Sequence, residues 1–385
     1  MKKIPNLPKI KSGDRLFYSP DDNEKDTYKK INKELKKKYN INLVDRDTII
    51  KNIIVMLTQG NYNNHRIPDF EWAIIRTDIS NFYNSINKHA LYKKISHSNM
   101  LSRETLNNLK PLFFSDSVKG VPLGLPFSSS LSEIYLEDFD KDIIIYFNPI
   151  FYFRYVDDII ILLHNSMKSS EEKKIVESKN KEKLDFIFYK YNLIKNEKKT
   201  KFNYYRKKSK KEILDFEYLG YHFKSNNSEL IIDISDVKKE KILRQINHYF
   251  GIFKNSSHSD VEFWKLYYRL QHTLHGITSN NEFSNSLHFG VAFSYKYINS
   301  TNQLNKLIKH TQYLIYKCKL TSYKKFMLLQ LIEYKESVLE ILDKKYNYQN
   351  ITPNQLNIMK KRLHITTKDT GLKKIFFIIH GNKYK

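Results

Sequence analysis

The sequence predicts an α+β chain whose middle holds an antiparallel sheet and whose end is all-α. Three observations carry this. Short β-prone runs separated by turns recur between about residues 72 and 225. Eight of the nine prolines lie at or before Pro149 and only Pro353 follows, so little in the later chain interrupts long helices. Beyond about residue 235, apolar side chains recur at helical spacing.

Taken in order, Arg46–Leu57 carries Ile49, Ile50, Ile53, Ile54 and Leu57 along one side, which is a helix pattern. Residues 72–77 (WAIIRT) form a β-prone run that ends at Asp78. Residues 151–156 and 159–163 are two more, separated only by Asp157-Asp158, so a hairpin carries two carboxylates at its turn. Between these strands, residues 128–139 suit a helix through Leu131, Ile134, Tyr135 and Leu136. Later, Phe263, Leu266, Tyr267, Leu270 and Leu274 keep helical spacing, as do Phe326, Leu329, Val338 and Leu342. Thr352-Pro353 reads as an N-cap with proline at the first helical position. Five to seven helices are expected after residue 235.

Composition bounds the function. Of 385 residues, 66 are Lys or Arg against 41 Asp or Glu, a formal net charge of +25, and 41% are hydrophobic. So much apolar and aromatic side chain excludes wholesale disorder. A single cysteine, Cys318, excludes a disulfide scaffold and suits a reducing compartment. The first residues lack the apolar segment of a signal peptide, and runs such as 159–163 and 375–379 are too short to span a bilayer. A cytoplasmic chain with no membrane partner is expected. The charge favours a polyanionic partner, nucleic acid being the usual one. Residues 168–211 concentrate it, with 16 Lys or Arg against 6 acids and aromatics interleaved. Only ten of the basic residues are Arg, however, and abundant Asn, Ile and Tyr fit an AT-rich coding background. A solvated face and a binding surface both fit the run.

Asp78, Asp157 and Asp158 all stand at strand ends. A lone Asp after a strand is usually a turn or cap residue. Two adjacent aspartates repel, and each raises the other's pKa unless a cation lies between them. If the strand ending at Asp78 lies beside the hairpin, the three carboxylates converge. Hard oxygen ligands favour Mg²⁺ or Mn²⁺, and two such ions ~4 Å apart clamp both oxygens of an in-line phosphoryl displacement. A second feature is residues 120–128 (GVPLGLPFS), where Gly120 and Gly124 stand four apart in a chain with ten glycines. Gly124 permits close backbone approach to a ligand, and a helix beginning near Ser128 suits a phosphate or sugar. An ordinary Gly/Pro turn explains the same residues.

Together and in order, these segments resemble the palm of a reverse transcriptase. Asp78-Ile79-Ser80-Asn81-Phe82-Tyr83 resembles the first catalytic motif, Gly120–Leu136 the G-x-P-Q-G-x-P-x-S loop and helix, and Tyr155-Val156-Asp157-Asp158 the Y-x-D-D box. Asn196-Glu197-Lys198-Lys199-Thr200 resembles N-x-x-K-T, and residues 218–223 the L-G-Y primer grip. Five ordered motifs over residues 45–245 are specific where one would not be. The resemblance implies a right-hand polymerase fold: an N-terminal and fingers segment over 1–75, a palm with inserted fingers helices over 76–230, a thumb opening over 231–255, and an α-helical C-terminal domain over 256–385. It implies two Mg²⁺ (or Mn²⁺) ions on Asp78, Asp157, Asp158 and the Ile79 carbonyl. It makes Lys199 a catalytic group near the leaving pyrophosphate and Tyr83 a gate against the ribose 2′-OH. Leu219, Gly220 and Tyr221 would position the primer end. Deoxynucleotides and DNA or RNA, including a noncoding RNA, become expected partners, and a homo-oligomer fits.

The departures shape the expectation further. Leu123 replaces the motif's Gln, removing a polar contact near the nucleotide or template base, so template dependence is open. No fingers signature for the triphosphate stands out; Arg46, Arg66 and Arg76 are unranked candidates, and Arg76, two residues before Asp78, can equally pair with an acid. Retron segments and zinc-ligand or endonuclease patterns are missing. The chain is most similar to the bacterial defence-associated, abortive-infection-like reverse transcriptases, some of which synthesise DNA without an external template from a protein side chain. Tyr346, Tyr348 and Tyr384 are the type of primer to test. A conventional RNA-templated enzyme of a retroelement and a catalytically silent nucleic-acid-binding protein are the alternatives.

Overall fold

The computed structural model describes residues 4–13, 15–60, 65–165, 167, 169–207, 209–280, 286–366 and 371–381. The chain divides into two units, Met1–Leu214 with Asn227–Glu229, and Asp215–Asn226 with Leu230–Lys385.

The first unit opens on an antiparallel hairpin, β1 (Lys9–Ser12) and β2 (Arg15–Tyr18). Helix α1 (Asp22–Lys38) follows from a capping box in which Asp21 and Glu24 satisfy each other's backbone N–H. The predicted α2 spans Arg46–Leu57, and its five apolar residues are all buried. Strand β3 (Trp72–Asp78) leads into α3 (Phe82–Ser85), α4 (Lys88–His97), α5 (Arg103–Phe113) and α6 (Ser128–Phe147). The expected hairpin is β4 (Phe151–Tyr155) and β5 (Asp158–His164), followed by α7 (Ser170–Lys190) and β6 (Lys201–Tyr205). Helix α6 runs eight residues past the expected Phe139, because Ile143 and Phe147 continue its buried face and Asn148 ends it in the left-handed region at φ +44°.

Four of these strands form an antiparallel sheet in the order β4-β5-β3-β6. The central strand is β3, with Arg76 opposite both Ile160 and Lys201 and with Asp78 opposite Asp158. Ile75, Ile159 and Ile161 of the sheet share one core with Leu131, Ile134, Phe139 and Ile143 of α6 and with Leu184, Ile187 and Phe188 of α7. Phe139 meets Phe188 edge to face at 5.3 Å. A sheet buried under two helices holds its strand ends rigidly, and that fixes Asp78 against the hairpin.

The second unit begins with a three-stranded sheet of β7 (Asp215–Tyr218), β8 (Tyr221–Asn226) and β9 (Glu229–Ile234). Then come α8 (Asp236–Lys254), α9 (Asp260–Leu274), β10 (Gly276–Asn280), β11 (Ser286–Phe289), α10 (Val291–Ser294), α11 (Asn302–Lys317) and α12 (Ser322–Leu329). A 3₁₀ turn over Val338–Asp343 precedes β12 (Lys345–Asn347), α13 (Pro353–Arg362) and α14 (Leu372–His380). Phe263, Leu266, Leu270 and Leu274 are buried on α9 as their spacing predicts. Thr352 caps α13 in a box with Gln355, with Pro353 in the first turn.

Helices do not make up the whole C-terminal region. The order β11-β10-β12 forms a small sheet there, with β12 parallel to β10 and Gly276 opposite Lys345. Its pairing joins segments far apart in sequence, and the polar Thr278-Ser279-Asn280 stretch carries no strand pattern. The spaced residues Phe326, Leu329, Val338 and Leu342 also fall on two elements. Helix α12 stops at Leu329, and a new capping box of Ser337 with Glu340 starts the 3₁₀ turn.

Candidate active site

Asp78, Asp157 and Asp158 come together, with carboxylate oxygens within 4.8 Å of one another. Each arrives by a distinct backbone device. Asp78 is the last residue of β3, and the next residue, Ile79, donates its N–H to the Asp157 carbonyl at 3.1 Å. That bond locks the central strand to the hairpin turn. The turn itself holds Val156 at φ +60°, which is rare for a β-branched residue and costs energy that its surroundings must supply.

Those surroundings centre on Arg154, a residue the sequence did not single out. Its side chain is 6% exposed. Its Nη1 donates to the Val156 carbonyl at 3.1 Å, its Nε and Nη2 to Asp140 at 2.8 and 2.7 Å, and its Nη2 also to Glu133 at 2.6 Å. Burial alone would lower its pKa, but the bonds and charges of Asp140 and Glu133 outweigh burial and hold it above the usual arginine range. Both carboxylates lie on α6, so the helix anchors the turn through one guanidinium.

The N-x-x-K-T segment closes the other side. Asn196 donates its backbone N–H to the Asp78 carbonyl at 2.9 Å and its side-chain amide to Asp78 Oδ2 at 3.2 Å. Lys199 Nζ lies 2.9 Å from the same Oδ2. Thr200 bonds the Asn196 carbonyl and the Thr77 hydroxyl, at 2.9 and 2.8 Å. Lys199 is thus an Asp78 partner with a half-exposed side chain, and Asn196, quoted in the motif without a role, positions the same carboxylate. Ile79 is buried beside Asp78 and is bridged to Lys195.

The electrostatics of the cluster are unfavourable without a cation. Burial raises the Asp157 carboxyl above its usual range, and the Asp78 and Asp158 charges add to this, while its own backbone N–H and Lys199 oppose it. Arg76 offers Asp158 only a distant pairing, 3.9 Å, and does not line the cleft described below. Asp78 Oδ1 is buried and accepts no hydrogen bond among the described residues, although Oδ2 has two donors. A bare, buried carboxylate oxygen aimed at two more carboxylates is the donor set of a hard divalent cation, and the residues fit Mg²⁺ or Mn²⁺.

A cleft of about 440 Å³ adjoins Asp157. Tyr83, Leu123, Pro122 and Val156 line it, together with the basic residues Lys9, Arg15 and Lys119. None of these three was among the candidates Arg46, Arg66 and Arg76; they come from the N-terminal hairpin and the loop before α6, which share no motif. The Tyr83 hydroxyl is pushed above its ordinary pKa by burial and is bonded to Ser132. The loop glycines make their close approaches to the chain's own backbone. A side chain at Gly120 (φ +56°) would lie 2.0 Å from the Tyr83 carbonyl, and one at Gly124 (φ +93°) would lie 2.5 Å from the Tyr18 carbonyl. Tyr18 N–H in turn bonds the Leu123 carbonyl at 2.8 Å, which docks the hairpin on the loop. Ser128 is buried and donates its hydroxyl to the Pro122 carbonyl, so it is not part of the cleft lining.

Leu219, Gly220 and Tyr221 belong to the second unit. Leu219 and Gly220 both have positive φ, +47° and +85°, in the two-residue turn that joins β7 to β8. Tyr221 is fully buried and donates its hydroxyl to the Ser294 carbonyl at 3.0 Å.

The family comparison agrees with this geometry. The family described as "Reverse transcriptase (RNA-dependent DNA polymerase)" matches residues 23–223. No curated protein matches. Among solved structures, the chain is similar to telomerase from Candida albicans in complex with a TWJ fragment of telomeric RNA, at 13% identity and a TM-score of 0.39, over 77% of this chain and 55% of that one. It is also similar to apo telomerase from Candida tropicalis, at 12% identity and a TM-score of 0.40, over 91% and 61%. The chain therefore spans a little over half the length of those proteins. With the family match covering more than half of the sequence, and its ordered motifs converging on one acidic cluster, the chain belongs to the reverse transcriptase (RNA-dependent DNA polymerase) family.

Proposed function

We propose that this chain is an RNA-directed DNA polymerase whose Asp78, Asp157 and Asp158, with the Ile79 carbonyl, hold two divalent cations, Mg²⁺ or Mn²⁺. The carrying observation is the bare, buried Asp78 Oδ1 within the three-carboxylate cluster. Such ions, when bound, clamp the attacking and leaving oxygens of an in-line phosphoryl displacement. The chain's own residues do the rest. Asn196 and Lys199 hold Asp78 Oδ2, which leaves Oδ1 as the ligand atom. The half-exposed Lys199 ammonium can neutralise or protonate the departing pyrophosphate. Lys9, Arg15 and Lys119 give the cleft the positive charge a nucleoside triphosphate needs, and the Tyr83 ring, tied at its hydroxyl, walls off a ribose 2′-OH. The Leu219–Tyr221 turn presents the primer end, and α8 opens the thumb.

A second, finer reading is template-independent synthesis in bacterial antiphage defence, in the cytoplasm, with a protein side chain as primer. Leu123 favours it, since an apolar side chain lines the cleft where the family carries an amide. Of the candidate primers, Tyr346 is exposed, whereas Tyr348 is buried with its hydroxyl pKa raised by desolvation; Tyr384 lies outside the described residues. A noncoding RNA partner and a homo-oligomer belong to the same proposal.

Purified protein would be incubated with Mg²⁺ and each labelled deoxynucleotide, with and without a primed RNA, beside an Asp157→Ala, Asp158→Ala control. Polymer made by the wild type alone supports the polymerase. Product that needs no template and stays protein-linked after nuclease and denaturant selects the defence reading, and product only on primed RNA selects conventional reverse transcription. No incorporation under any condition counts against an active palm.

A further inference from the structure

Helices α11 and α12 carry a feature that the polymerase chemistry does not use. From Ser286 to Ile332 the sequence has seven lysines and not one Asp or Glu, where the chain's overall frequency, 41 acids in 385 residues, would place about five. An AT-rich coding background explains abundant lysine but not this loss of acids, since Asp and Glu are as plentiful as elsewhere on both sides of the stretch. On α11 the inward face is apolar, with Leu304, Leu307, Ile308 and Ile315 buried. The outward face carries Lys306, Lys309, Tyr313 and Tyr316 at intervals of three and four, so one stripe runs from two cations to two aromatic rings.

Those rings are not packed away. Tyr313 is 55% exposed, Tyr316 62%, Tyr323 65% and Phe326 54%. The two helices are joined at this face, where Lys325 Nζ reaches the Tyr316 carbonyl at 3.5 Å. Lys317 stands over the Tyr313 ring and donates to its hydroxyl. The carboxylates that reach the patch from other elements are Asp260, paired with Lys324 at 2.7 Å, and Asp236, whose carboxyl pKa is lowered chiefly by its hydrogen bond with Lys239 and in small part by the Lys306 charge. Neither faces the exposed Lys309 or Lys319 in an ion pair among the described residues.

We propose that the α11–α12 face of the second unit is a binding surface for single-stranded nucleic acid and uses none of the residues of the acidic cluster. Exposed rings accept unstacked bases, and the lysines between them take the phosphates. A face with four exposed rings and no carboxylate of its own suits a polyanion with flat apolar groups, and a duplex would keep its bases out of reach.

The test uses the full chain without nucleotides or divalent cations, so the outcome does not depend on polymerisation. Fluorescence anisotropy would follow labelled oligo(dT), the matching oligo(U) and a duplex of equal length. The variant Tyr313→Ala, Tyr316→Ala, Tyr323→Ala, Phe326→Ala is compared with one in which the three tyrosines become Phe. The Ala variant should bind single strands about tenfold or more weakly at an unchanged melting temperature, while the Phe variant keeps wild-type affinity. Photocrosslinks from a 4-thiouridine or bromodeoxyuridine strand should fall on the peptides spanning residues 313–326. Preference between the DNA and RNA strands identifies the natural ligand. Unchanged affinity in the Ala variant, crosslinks confined to the first unit, or equal loss of duplex binding would each overturn the proposal.

Discussion

Arg154 donates to the carbonyl of Val156 at 3.1 Å and so holds from outside the one residue of the acidic hairpin whose backbone is left-handed. Replacing Arg154 with Ala removes that bond and strands Asp140 and Glu133 beside each other. The variant is expected to lose about 3–5 kcal/mol of stability, as when one partner of a buried ion pair is removed, together with nearly all incorporation. Arg154→Lys keeps the charge but not the fork, and should recover stability better than activity. Thermal melts and initial rates on the same preparations check both statements.

The loop before α6 depends on glycine for a different reason. At Gly124 a methyl group would sit 2.5 Å from the Tyr18 carbonyl, which is backbone and cannot swing aside. Gly124→Ala should therefore undock the β1–β2 hairpin, at a cost of about 1–3 kcal/mol, and remove Lys9 and Arg15 from the cleft. The expected signature is a rise in KM for the nucleotide larger than the fall in kcat, with faster hydrogen exchange at the Tyr18 amide. A fall in kcat alone would contradict it.

Without a cation the acidic cluster opposes folding. Burial and the neighbouring charges raise the Asp157 carboxyl, so at neutral pH the native state holds an ionised group it disfavours. Asp157→Asn should melt higher than wild type in EDTA, by an amount worth about 1 kcal/mol, and lose activity. Millimolar Mg²⁺ should raise the wild-type melting temperature and leave the variant's nearly unchanged. Differential scanning fluorimetry with and without the metal reads both.

The second unit should be acid-sensitive through His275. Its Nε2 donates to the Leu331 carbonyl at 2.8 Å, its Nδ1 is buried with no hydrogen-bond partner among the described residues, and Lys344 adds a like charge. Burial pushes its pKa down from 6.5 to about 4. The folded state thus binds its proton later than the unfolded chain. Stability is undiminished above pH 6.5 and falls as the pH drops toward 4, by about 3 kcal/mol for this one group. His275→Gln should flatten that fall in chemical denaturation series at pH 7, 6 and 5.

What the sequence made legible was local. Helix α2 matches its predicted limits because five apolar side chains mark one face, and β3 with its hairpin was readable because aspartates end the apolar runs. Convergence of the three acids followed once the strands were taken as neighbours. Arg154 was not legible, because a lone arginine in an aromatic strand has no pattern, and its partners lie 14 and 21 residues earlier on a helix. The basic residues of the cleft were hidden for a similar reason: a β-bridge between Phe17 and Leu123 brings the hairpin to the loop. The small sheet around β10 was missed because its parallel pairing joins largely polar segments 69 residues apart, Gly276 opposite Lys345.

The central position of β3 also dictates when the site can exist during synthesis. Asp78 waits for Asn196 and Lys199, which leave the ribosome 118 and 121 residues after it. At 5–20 residues per second, that delay is roughly 6 to 24 seconds. A nascent chain that has the hairpin but not yet residue 199 brings three acids together with no lysine to offset them, so the acidic pole resists closing early. Arg76, already made, reaches Asp158 only at 3.9 Å, so the close counter-charge on Asp78 comes from a segment encoded well downstream.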